Sequence, residues 1–210
     1  MKIGITGGIG SGKSYVCRLL AQYGIEVYDC DTAAKRLMRT SPELRRQLID
    51  LIGPDCYLPE EQLLSPQSSP INTHPSPLNK SAVARFLLAS EANARAIDAI
   101  VHPAVFRDFD ESGYQWMESA ILYESGADRL VDRVVVVTAP EEVRIARIIQ
   151  RDGISREKAL EWIGRQWPQE EVRRRADYEI VNDGQADITS QIEKLRLLWP
   201  TTAPVKVRPL

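Results

Sequence analysis

The run Gly7-Gly8-Ile9-Gly10-Ser11-Gly12-Lys13-Ser14 follows the pattern of glycine, four residues, then Gly-Lys-Ser. Residues 2–6 before it read as a short apolar strand that the glycines end. After it, Val16, Leu19, Leu20 and Tyr23 recur at helical spacing, and Gly24 is placed to stop that helix. Residues 25–29 read as a second strand, so the chain opens as strand, loop, helix, strand, the start of a parallel sheet. Each residue type in the loop has a physical task. Glycines permit backbone angles that turn successive amide N–H groups inward, making an anion-binding nest. The helix behind adds its positive N-terminal end. Lys13 is long enough to reach β- and γ-phosphate oxygens, and the Ser14 hydroxyl suits Mg²⁺. Gly8, Gly10, Ser11, Gly12, Lys13, Ser14 and the adjoining Tyr15 are therefore the expected nucleotide-binding residues, and Ser14 the expected metal ligand. A purely structural glycine turn does not call for this strand-to-helix setting.

Further strands are expected at 114–119, at 133–138, which is nearly all valine and so buried on both faces, and at 178–182. Ser41-Pro42 is a cap and first turn for a helix carrying Leu44, Leu48 and Leu51 toward Gly53. Residues 54–80 hold six prolines and read as an irregular excursion, either a binding loop or a dispensable insertion. Helical spacing returns with Val83, Phe86 and Leu87, then with Ile97, Ile100, Val101, Ala104 and Val105. His102-Pro103 interrupts that pattern, and a lone histidine there reads as structural. A closing helix places Ile188, Ile192 and Leu195 on one face, and 200–210 reads as a loose tail.

Asp29 and Asp31 fall at the end of the second strand, where strand alternation would put both on one side with Cys30 opposite. Carboxyl ends of parallel strands border the ligand crevice, so one of the pair is placed to meet a γ-phosphate and its acceptor. The other reading is that Asp31 or Thr32 merely caps the next helix. Glu118 is a weaker candidate for a carboxylate linked to Mg²⁺.

Composition then narrows the class. A chain of 210 residues suits one domain of ordinary size, and a formal charge of −2 gives no bulk reason to bind nucleic acid or a membrane. Three cysteines without metal-site spacing suit a reducing compartment, and a cytoplasmic protein is the default. Residues 141–177 carry eight arginines and one lysine against eight carboxylates on helical segments. They read either as solvated helices with salt bridges or as a lid that closes arginines over phosphates. The guanine-reading Asn-Lys-x-Asp of a GTPase is missing, so a small-molecule kinase is expected. Its rivals are a kinase for nucleoside monophosphates or shikimate, and a nucleotide-binding switch without an acceptor.

Five stretches carry a resemblance to the dephospho-CoA kinase family. They are 5–14; Tyr28-Asp29-Cys30-Asp31; Ile100-Val101-His102-Pro103; Ile121-Leu122-Tyr123-Glu124; and the series Arg147, Arg151-Asp152, Gln166, Ala176-Asp177 and Val181-Asn182. The chain departs from the family's pattern at Tyr15, Ala120 and Asn79-Lys80. The resemblance implies a three-layer α/β/α fold with a five-stranded parallel sheet. It also implies an acceptor-binding helical region over 32–112 and a lid over 141–177, within one kinase domain. The implied partners are ATP with Mg²⁺ and dephospho-CoA, in a monomer or small homo-oligomer. By residue it implies Asp31 as general base, Arg151 as the lid arginine beside Lys13 in catalysis, Arg147 one helical turn earlier, and Asn182 near the adenine.

Overall fold

The computed structural model describes residues 1–58 and 78–199. Most of the proline-rich excursion and the expected loose tail at 200–210 lie outside the described residues. The chain divides into two compact units, Met1–Asp29 with Ser112–Leu210, and Cys30–Glu111.

The first unit holds five strands: β1 (Ile3–Thr6), β2 (Val27–Asp29), β3 (Trp116–Glu118), β4 (Arg133–Thr138) and β5 (Tyr178–Val181). They form one sheet in the order β2-β3-β1-β4-β5, with every pair parallel. This is the α/β class that the sequence implies. β4 is buried from Val134 through Thr138 because β1 and β5 flank it and both its faces are covered. Ile3 and Ile5 of β1 pack with Val16 and Leu20 of α1 (Lys13–Gln22) and with Ile192 and Leu195 of α9 (Ile188–Leu198). Each such buried aliphatic side chain contributes about 1.5–3 kcal/mol. Gly24 takes φ +74° directly after α1, as its placement implies. Three helices fill the arginine-rich stretch: α6 (Glu141–Asp152), α7 (Arg156–Gly164) and α8 (Gln169–Arg175).

The second unit is helical: α2 (Cys30–Thr40), α3 (Pro42–Ile52), α4 (Lys80–Ala89) and α5 (Glu91–Ser112). Ser41 caps α3, its Oγ accepting the Leu44 amide at 3.2 Å. Asn79 caps α4, with Oδ1 accepting from Ala82 at 3.3 Å. Tyr57 and Leu78 meet in an antiparallel bridge. α5 runs unbroken through Pro103, as the helical spacing from Ile97 to Val105 implies. His102 stacks on Phe106, with ring centroids 6.0 Å apart, in line with a structural histidine. One expectation is corrected here, and it concerns Asp31. β2 ends at Asp29 and α2 starts at Cys30, so strand alternation does not apply to Asp31. It stands in the first turn of a helix, where the helix's positive end favours a carboxylate.

Candidate active site

The glycine-rich loop joins β1 to α1 and crosses the carboxyl end of the sheet. Lys13 opens α1 with only 9% of its surface exposed, and its Nζ donates to the Gly7 carbonyl at 2.8 Å. Other loop carbonyls are held by side chains from the far half of the unit. Arg144 Nε donates to the Ile9 carbonyl at 2.9 Å. Arg147 Nη1 donates to the Gly10 and Ser11 carbonyls, each at 3.3 Å. Asn182 Nδ2 donates to the Ser11 carbonyl at 2.8 Å, while its Oδ1 accepts from Arg147 Nη2 at 3.1 Å. In a trans peptide the C=O and the following N–H point opposite ways. A carbonyl pinned on the outside therefore turns the next amide to the other side, as an anion nest requires.

Glycine leaves the room that these grips take up. Gly12 has φ +93°, and a Cβ there would lie 2.1 Å from Asn182 Nδ2. A Cβ on Gly8 would lie 2.3 Å from Arg144 Nη2. Gln166, just after α7, holds the loop from another side. Its Oε1 accepts the Ile9 amide at 2.6 Å and its Nε2 donates to the Ala120 carbonyl at 3.3 Å. Next to it, the Trp167 amide donates to Glu124 Oε1 at 3.2 Å, and the Trp167 ring stacks on Tyr123 with centroids 6.1 Å apart.

Two cavities adjoin the loop. One, of about 560 Å³, is lined by Gly12, Tyr15, Arg147, Asn182, Gly184 and residues 186–189. The other, of about 450 Å³, is lined by Ser14, Cys17, Asp29, Tyr114 and Glu118 among others. Asp29 and Glu118 are register partners on β2 and β3. The Ser14 hydroxyl and these two carboxylates form an oxygen donor set of the kind a hard cation takes. Cys17 Sγ lies 3.9 Å from Glu118 Oε2. Burial, then the nearby Glu118 carboxylate, pushes the Cys17 thiol up to about 12, so it is a packed thiol and not a nucleophile.

The structure thus brings Gly8, Gly10, Ser11, Gly12, Lys13, Ser14, Tyr15, Arg147 and Asn182 to one loop and its flanking cavity. It does not bring Arg151 there. That side chain is 60% exposed and pairs with Asp152, Nη2 to Oδ2 at 2.7 Å. The bond to Asp152 raises its pKa. Much of 141–177 fits the salt-bridged reading: Arg156 pairs with Glu142, Lys158 and Arg165 with Glu161, and Arg174 and Arg175 with Glu171. Such exposed pairs are worth about 0–1 kcal/mol each. Sequence reasoning assigned no role to Arg144, Gln166 or Glu124. A signal for Arg144 was available, since 144, 147 and 151 share one face of a helix.

Comparison with known proteins agrees with this geometry. Residues 1–187 match the family model for dephospho-CoA kinase. A dephospho-CoA kinase of Bacteroides fragilis is 38% identical over 206 residues, covering 93% of this chain and 91% of that protein. A crystal structure from Thermus thermophilus superposes with a TM-score of 0.75 at 30% identity, covering 96% of this chain and 98% of that one. The dephospho-CoA kinase of Campylobacter jejuni gives a TM-score of 0.58 at 20% identity, covering 94% and 96%, a likeness of fold.

Proposed function

The chain belongs to the dephospho-CoA kinase family, and from that premise we propose how its residues divide the work. The reaction is ATP-dependent phosphorylation of the 3′-hydroxyl of dephospho-CoA, giving coenzyme A and ADP. The observation that carries the assignment is the loop whose carbonyls are pinned outward by Arg144, Arg147 and Asn182. Such a loop holds the Gly10 and Gly12 amides ready for the phosphates, while the Ile9 amide is held by Gln166 and the Ser11 amide by the Gly8 carbonyl. Lys13 neutralises charge on the transferring phosphoryl group. Arg147, Asn182 and Tyr15 line the cavity that receives the nucleoside end. Arg151 exchanges Asp152 for a phosphate oxygen when both substrates are present.

On the acceptor side, residues 32–112 hold dephospho-CoA and 141–177 act as the lid. The 3′-oxygen forms the new bond to Pγ while the bond from Pγ to the β,γ-bridging oxygen breaks. The hydroxyl proton passes to the Asp31 carboxylate and ADP leaves with the electron pair. Mg²⁺ bound with ATP would supply the positive charge that screens the phosphates. Ser14 would ligate it, with Asp29 and Glu118 lining the same cavity. Mg²⁺ commonly takes one or two carboxylates plus substrate phosphates, which this donor set matches. Cys17, Cys30 and Cys56, as thiols, suit a reducing, cytoplasmic setting. No helix among the described residues is long and apolar enough to cross a membrane.

ADP release measured with dephospho-CoA, AMP, shikimate or no acceptor tests this reading. Release that depends on dephospho-CoA is expected. Equal release without any acceptor would mark a switch or an ATPase, and dependence on shikimate or AMP would mark another kinase.

A further inference from the structure

Arg144 is only 5% exposed, yet among the described residues no carboxylate lies within ion-pair distance of it. Burial lowers its pKa, outweighing the pull of Glu141 one helical turn away. Of its donors, Nε is used on the Ile9 carbonyl at 2.9 Å. The guanidinium lies against the loop, with Nη2 2.3 Å from where a Cβ on Gly8 would stand and Cζ at 2.7 Å. The backbone of Arg144 also comes close at Gly10, its carbonyl oxygen lying 2.7 Å from a Cβ there. A mostly buried guanidinium without a carboxylate partner is costly, because much of its water is lost and no anion replaces it. A chain tolerates such a group where an anion completes it, and the loop it presses on is built for a triphosphate.

We propose that Arg144 is a further nucleotide-binding residue, a buried cation behind the loop whose missing counter-charge is the triphosphate of bound ATP. The proposal rests on the kinase reading above and deepens it. The residue acts in two ways. Its charge lies in a poorly solvated position beside the phosphate cradle, where a Coulomb interaction is several-fold stronger than in water. Its Nε also fixes the Ile9 carbonyl, which turns the Gly10 amide to the opposite side of the same peptide. Arg147 and Arg151 follow on the same face of α6, so the helix presents a graded row of arginines, buried at 144 and exposed at 151. On this assignment Gly8 is needed because Arg144 occupies the place of its side chain, so the two residues form one device.

Three ligands separate charge from shape: ATP, ADP and adenosine, each titrated calorimetrically against the full chain. Arg144→Gln keeps a donor for the Ile9 carbonyl and removes the charge. It is expected to weaken ATP at least tenfold and ADP by less, with adenosine within threefold of the parent protein. Arg144→Lys is expected to recover most of the ATP affinity. Unchanged ATP binding in Arg144→Gln, or equal losses for all three ligands, would overturn the proposal. Should Arg144→Gln fail to fold, Gly8→Ala serves instead, since it displaces the guanidinium without removing it. It is expected to lose ATP affinity selectively, and ATP affinity within twofold of the parent would overturn the proposal. Turnover of the unaltered protein with dephospho-CoA is read in parallel. Its absence would count against the kinase reading, whereas normal turnover with unchanged ATP binding in the variants would sink Arg144 alone.

Discussion

Asn182 Nδ2 donates to the Ser11 carbonyl across 2.8 Å and stands 2.1 Å from the point where a Cβ on Gly12 would be. The loop after β5 and the phosphate loop therefore fit together only if residue 12 has no side chain. The backbone sets the same demand, since Gly12 sits at φ +93°. Gly12→Ala is expected to cost about 1–3 kcal/mol of stability from backbone strain. It should also weaken ATP binding at least tenfold, because Asn182 must withdraw. Urea unfolding and ATP titration check both, and normal ATP affinity would separate the Asn182 contact from nucleotide binding.

Gln166 accepts from the Ile9 amide and donates to the Ala120 carbonyl, so one side chain ties the segment after α7 to the phosphate loop. Gln166→Met keeps the length and removes both bonds. A net loss of about 1–3 kcal/mol is expected from two part-buried hydrogen bonds. Hydrogen exchange at the Ile9 amide should quicken markedly while exchange in β1 is little changed. Unaltered Ile9 protection would show that something else shields that amide.

The phosphate loop, the strands of the sheet and the helix starts at Ser41-Pro42 were legible because each depends on local chemistry: glycine angles, valine runs, a capping hydroxyl. Asp31 was harder. The apolar alternation around Cys30 is shared by a strand end and a helix start, and only the backbone shows that α2 begins at Cys30. Pro103 removes one amide, yet α5 stays continuous through it, with Val101, Val105 and Phe109 buried along one face. The shared face of 144, 147 and 151 groups Arg144 with the other two arginines, but it does not say which guanidinium will be buried. The burial of Arg144 depends on a loop 135 residues earlier in the chain, a long-range fact that no window of sequence contains.

The two aspartates are told apart by charge removal. Asp31→Asn keeps the shape and one acceptor oxygen. With Asp31 as the base it should bind ATP and dephospho-CoA within several-fold of the parent protein. Its turnover should fall by about 10²–10⁴-fold. The transition state is loose and little proton has moved, so the lower half of that range is expected. Asp29→Asn should hurt less. If it proved the more damaging change, the general base would have been assigned to the wrong residue.

Alkaline stability follows from buried Tyr57 and from part-buried Cys17 and Tyr123. Burial is the first cause in each: it pushes Cys17 from its ordinary 9.0, and Tyr57 and Tyr123 from their ordinary 10.0, up to about 12. Between those values the unfolded chain gives up protons that the folded chain keeps, so stability falls as pH rises from about 9 to 12. Urea midpoints taken across that range should drop steadily, and Cys17→Ala should flatten the earliest part of the fall. A midpoint independent of pH there would contradict the burial of these groups.

The account stands most directly on where the γ-phosphoryl group goes. ³¹P spectra of the protein with ATP, Mg²⁺ and dephospho-CoA should show one new phosphomonoester at the ribose 3′ position, formed in step with ADP. The same spectra with Lys13→Ala, in a chain whose circular dichroism is unchanged, should show almost none. ADP that accumulates with inorganic phosphate and no new phosphomonoester, or a phosphomonoester formed equally well by Lys13→Ala, would contradict it.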